Sequence, residues 1–142
     1  MARTRLGSRG SFSGQVIEKI TAAETITNGD SGKVFMLDNT AASAYSLTMP
    51  TTLKAGVNYK FIVQEDTPGA AITLAFGSAI VDGQVLAGDA TTAKCEGTDG
   101  TAVSNIIVGI GAKQGAEFKL VCDGTSWYLS GSGFPDGWVT FS

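Results

Sequence analysis

The 142-residue chain has no histidine, only two cysteines and only three prolines. Without an imidazole, the usual Ser-His-Asp and Cys-His systems cannot be built, because the group that takes the nucleophile's proton near neutral pH is missing. Two cysteines without histidine also fall short of the four nitrogen or sulfur ligands of a closed zinc site. No apolar run approaches the ~18 residues of a membrane span. The first arginines are followed by Gly and Ser, not by the apolar stretch of a secretory signal. These absences lead us to expect a protein made in the cytosol, with no membrane partner. In that compartment Cys95 and Cys122, each within a β-type run, are expected to be reduced core residues and not a disulfide.

Charge is sparse as well, and it is unevenly placed. The net charge is -3, and Arg3, Arg5 and Arg9 all lie in the first fifteen residues, so the remainder carries -6. An acidic body repels phosphate, which argues against a nucleic-acid partner. The opening MARTRLGSRGSFSG has too few apolar residues for a core of its own. We read residues 1–15 as a flexible basic arm and residues 16–142 as a single β domain. Such an arm suits docking on an acidic protein surface, with its arginines steering the encounter.

The body is built of short β-forming runs punctuated by many of the 19 glycines. In YSLTMP, Tyr45, Leu47 and Met49 alternate with Ser46 and Thr48, the period of a half-buried strand, and Pro50 ends it. VIEKI, GKVFMLDN, TTAKCE, SNIIVGI, EFKLVC and WVTF read as further strands. VNYKFIVQ and AAITLAF, joined by EDTPG, read as a hairpin. Asp123-Gly124 between KLVC and TSWYL gives a second, stronger hairpin signal. Ile80 to Leu86 reads as two short strands, or one with a bulge at Asp82-Gly83. SGSGFPDG reads as a turn. No stretch sustains helical i, i+3, i+4 spacing. The expected fold is all-β: an antiparallel β-sandwich or jelly-roll-like barrel with an extended N-terminal arm.

No catalytic, cofactor or metal site stands out. Asp30, Asp66, Asp82, Asp89, Asp123 and Asp136 are spaced as turn formers. Glu96 to Asp99 is too poor in ligands for a calcium loop, and VGIGAKQG misses the P-loop spacing. Trp127 and Tyr128 are adjacent on one strand, so one is expected in the core and the other outside. Trp138 and Phe141 could form a sugar-binding platform, although packing is the commoner use of such residues.

Two segments, GKVFMLDNTAASAYSLTMPTTLKAGVNYKFIV (32–63) and FKLVCDGTSWYLSG (118–131), resemble bacteriophage virion proteins, in particular small β-sandwich head decoration (cement) proteins. The shared features are a strand ending Leu-x-Met-Pro, a Gly-x-Asn-Tyr-x-Phe strand, and an Asp-Gly-Thr hairpin followed by tryptophan. The resemblance implies a non-enzymatic protein on the outer capsid surface of the virion. It would be bound to the major capsid protein, would stabilise capsomer junctions, and would be a homotrimer. The candidate capsid-binding residues are then Arg3, Arg5, Leu6, Arg9 and Phe12 of the arm. A tail-tip or tail-fibre receptor-binding module and a carbohydrate-binding module are the alternatives.

Overall fold

In the strand carrying Tyr45, Leu47 and Met49 these three side chains are buried while Ser46 and Thr48 are exposed, as the alternation requires. The computed structural model describes residues 3–5, 15–38, 40, 43–65, 70–89, 91, 93–98 and 103–142. Thirteen strands lie among them: β1 (Arg3–Arg5), β2 (Ile17–Ile20), β3 (Glu24–Thr25), β4 (Val34–Leu37), β5 (Tyr45–Thr48), β6 (Asn58–Val63), β7 (Ile72–Ala75), β8 (Ile80–Gly88), β9 (Ala93–Gly97), β10 (Asn105–Val108), β11 (Glu117–Cys122), β12 (Ser126–Gly133) and β13 (Val139–Phe141). A 3-10 turn, Asn28–Asp30, is the one helical element among the described residues. No helix there is long and apolar enough to cross a membrane.

The protein is all-β, as expected, but its strands form two mixed sheets and no closed barrel. The large sheet runs β1-β2-β4-β6-β11-β12-β8-β9 and the small one β13-β10-β7-β5-β3. From β2 to β7 the chain crosses between sheets at every step. β2, β4 and β6 are thereby parallel neighbours in one sheet, and β3, β5 and β7 are parallel neighbours in the other. Parallel neighbours cannot be joined by a tight turn, so a strand of the facing sheet serves as each crossover. This winding corrects the antiparallel expectation. It also corrects the hairpin read at EDTPG, because β6 and β7 lie in different sheets. Hairpins return in the second half, where β11 and β12 pair across Asp123-Gly124 as expected, with Cys122 opposite Trp127.

One hydrophobic core fills the space between the sheets. Phe35, Phe61 and Phe118 occupy one row of β4, β6 and β11. Their rings stack at 5.3 and 5.2 Å, and Trp138 continues the row at 6.3 Å from Phe118. The next position across the sheet is Gly131, where a Cβ would come within 2.8 Å of Phe118 Cβ. At Gly133 a Cβ would lie 2.4 Å from the Trp138 ring. The Ser-Gly-Ser-Gly stretch is therefore the end of β12 and not a turn, Gly131 lying close against the β11 backbone and Gly133 leaving room for the Trp138 ring. Ile80 to Gly88 is one continuous strand. Gly83 adopts φ +142° there, and a Cβ on it would meet the Leu129 carbonyl at 2.1 Å.

Both cysteines are free, but they differ in environment. Cys122 is buried as expected. Cys95 is exposed, which corrects the core reading: β9 is the edge of the large sheet and Cys95 faces outward from it. Trp127 is buried and Tyr128 is half exposed, in keeping with their opposite faces. Trp138 lies in the core and Phe141 packs against it, so neither is displayed as a sugar platform.

Candidate functional site

At the β2 flank of the core, the row of stacked rings ends in charge. Glu18 of β2 sits beside Phe35 in the register of the large sheet, where continued apolar packing would call for another hydrophobe. Glu24 on β3 and Asp30 in the 3-10 turn approach from the small-sheet side. Asp30 is held by its own turn, accepting hydrogen bonds from the Thr27 amide at 2.8 Å and the Thr27 hydroxyl at 2.9 Å. Lys33 donates to both Asp30 (2.7 Å) and Glu18 (2.8 Å) and ties the two carboxylates together.

Arg3 closes this socket. β1 adds antiparallel to the outer edge of β2, with Arg3 opposite Ile20 and Arg5 opposite Glu18. The Arg3 guanidinium donates to Asp30 Oδ1 at 3.0 Å, to Glu18 Oε2 at 3.4 Å and to the Thr25 carbonyl at 2.5 Å. Glu24 lies within ion-pair range at 3.8 Å. The same guanidinium sits over the Phe35 ring, 5.5 Å from its centroid, and so caps the end of the aromatic row. Five contacts of three kinds (ionic, carbonyl and aromatic) converge on one side chain that is 21% exposed. A planar fork that stacks and donates in several directions meets this demand, and an ammonium does not.

The electrostatics follow from the packing. Burial pushes the Asp30 carboxyl up, but the hydrogen bonds from Lys33, Thr27 and Arg3 outweigh it and hold the group at about 2. Burial works against the Lys33 ammonium, yet Asp30 and Glu18 together raise its pKa. Burial, reinforced by the Asp30 charge, raises the phenol of Tyr59, whose hydroxyl donates to the Thr27 carbonyl at 2.8 Å. A second ion pair, Lys19 to Asp38 at 2.6 Å, fastens the end of β2 to the segment after β4. At the opposite flank, Lys94 pairs with Asp136 at 2.6 Å beside Glu96, bringing the β9 edge to the turn before β13.

Of the candidate residues read from the sequence, the structure places Arg3 in this socket and Arg5 in β1. Leu6, Arg9, Phe12 and the side chain of Arg5 lie outside the described residues. Residues 3–5 are thus a strand of the large sheet, and residues 6–14 of the segment read as a flexible arm lie outside the described residues. Sequence reasoning did not single out Glu18, Glu24 and Lys33, and it took Asp30 for a turn former only. The Thr27-x-x-Asp30 spacing was the usable signal, since it is a capping-box pattern that fixes a carboxylate against backbone amides. Among the described residues, no three Cys, Asp or Glu side chains are grouped so as to hold a metal ion. Of the Glu96-to-Asp99 stretch, Thr98 donates to Asp82 at 3.0 Å and Glu96 faces Asp136. No family model and no curated protein matches the chain.

Proposed function

We propose that the protein is a head decoration (cement) protein of a bacteriophage, a β-sandwich with an N-terminal arm that binds the major capsid protein on the outer head surface and bridges capsomer junctions as a homotrimer. The observation that carries this reading is the placement of the two segments resembling virion proteins. They supply β4, β6, β11 and β12, four consecutive strands of the large sheet, together with β5 opposite. The resemblance therefore attaches to one continuous structural unit and not to scattered residues. The basic N-terminal segment supports the reading further, because its first strand adds to a sheet edge, a mode of attachment open to extended peptides in general. With Arg3 anchoring its end, Leu6, Arg9 and Phe12 are the residues offered to the capsid. The role is structural and non-catalytic, and several weak attachments per multimer supply the avidity.

The test is the copy number of the protein in purified virions, measured by quantitative mass spectrometry. Hundreds of copies, with loss of capsid occupancy after deletion of the residues before Gln15, are expected. A few to tens of copies would move the protein to the tail. The receptor-binding alternative draws on one observation, the half-exposed Tyr128 beside Asp82 on the outer face of the large sheet. Glycan binding by the isolated protein, abolished by Tyr128→Ala, would instead favour the third reading, a carbohydrate-binding module.

A further inference from the structure

We infer that the socket of Glu18, Glu24, Asp30, the Thr25 carbonyl and Phe35 is a receptor for an arginine-bearing extended strand, and that in the assembled protein this strand is the N-terminus of a second copy. The inference concerns how copies of the chain associate and holds whatever surface the assembly binds.

Three observations carry it. First, β1 is peripheral to the body: among the described residues it adds nothing to the hydrophobic core, pairs with β2 alone, and has Arg3 as its described side-chain anchor. Second, eleven residues, 6–16, separate β1 from β2, and six of them are Gly or Ser. An antiparallel pair closed within one chain usually needs a loop of roughly two to five residues. Eleven residues can instead reach on the order of 36 Å, enough to cross to a neighbouring molecule. Third, the socket remains acidic without its strand, since Lys33 pairs with Glu18 and Asp30 while Glu24 brings a third carboxylate toward the Arg3 position. An empty socket therefore selects a cation, and the N-terminus of every copy brings Arg3 at the right place on a strand.

Strand exchange makes the same contacts between molecules as within one, so a modest additional contact between bodies decides which form prevails. The exposed apolar side chains suit such a contact. Ile80, Val121 and Tyr128 lie toward one end of the large sheet, and Leu86 and Phe134 toward the other. Two unlike patches at opposite ends fit a ring of head-to-tail contacts.

The experiment uses the full chain without capsids, so its failure is separate from that of the proposed function. Light scattering after size exclusion is expected to show a multimer at micromolar concentration, and Arg3→Glu is expected to reduce it to the 14.6 kDa single chain with an unchanged β circular dichroism spectrum. A single-chain mass for the unaltered protein, or a multimer unaffected by Arg3→Glu, would overturn the inference. The register gives a second readout, since Thr4 lies opposite Lys19. In a Cys95→Ser background, a chain with Thr4→Cys is mixed with one carrying Lys19→Cys and oxidised. A disulfide-linked heterodimer is expected. Absence of the heterodimer, with ready closure of the Thr4→Cys, Lys19→Cys double variant within one chain, would show that the strand stays on its own body.

Discussion

Asp30 gathers four hydrogen bonds on one buried carboxylate, and a pH dependence follows from them. Its pKa in the folded protein is about 2, below the ordinary 3.8, so the folded state favours the charged form. The stability this contributes is fully present above pH ~4 and is lost as pH falls toward ~2, amounting to about 2 kcal/mol. Urea unfolding at pH 6 and pH 2.5 is expected to show this loss in the unaltered protein and a smaller one in Asp30→Asn. A flat profile for the unaltered protein would contradict the assignment. The two thiols make a second residue-scale prediction. Cys95, exposed at the sheet edge, should react with a maleimide in the native protein, while Cys122 should react only on unfolding. At Gly133 any side chain must displace the Trp138 ring, so Gly133→Val is expected to cost about 3 kcal/mol or more in denaturant titration.

The row of rings across β4, β6 and β11 is the stabilising feature at the scale of elements. Phe61 stacks on both neighbours, meets Tyr59 edge-on and is fully buried, so Phe61→Ala removes three aromatic contacts and opens a cavity. A loss of about 3–5 kcal/mol is expected in the same titrations, against about 1 kcal/mol for a peripheral apolar truncation. β1 depends on a different kind of force. Its hold comes from charge-assisted hydrogen bonds at a partly exposed site, where each is worth about 1–2 kcal/mol. Arg3→Ala should therefore leave the core intact while lowering hydrogen-exchange protection of the β2 amides. Unchanged β2 exchange would mean that Arg3 contributes no more than a solvated surface residue.

For the whole molecule, the alternating path between sheets places most pairings far apart in sequence, with β2 joining β4, β4 joining β6, and β6 joining β11. Closing such contacts costs chain entropy before any burial is gained. Refolding on the slow side for a domain of this size, milliseconds to seconds, is the natural consequence. The same path makes the flanks of the core its weak margins. Both are closed by ion pairs, Arg3 with Asp30 and Glu18 on one side and Lys94 with Asp136 on the other. The charged seal at the β1 side is the one made by a separable segment, which is why association is expected to act there.

What the sequence determined by itself was local. Alternation placed Tyr45, Leu47 and Met49 inside, Asp123-Gly124 marked the hairpin of β11 and β12, and adjacency on one strand sent Trp127 and Tyr128 to opposite faces. Each of these depends on the two-residue repeat of a strand or on turn chemistry, both of which act over a few residues. Partner choice was not local. Whether β6 pairs with β7 or with β4 and β11, whether Cys95 lies on an inner or an edge strand, and whether the glycines after Leu129 form a turn or pack against the β11 backbone and the Trp138 ring all depend on which strands become neighbours in space. The socket belongs to this second class. Glu18, Glu24, Asp30 and Arg3 stand on four elements with no shared sequence pattern, and only the tertiary structure brings their charges to one point at the open end of the core.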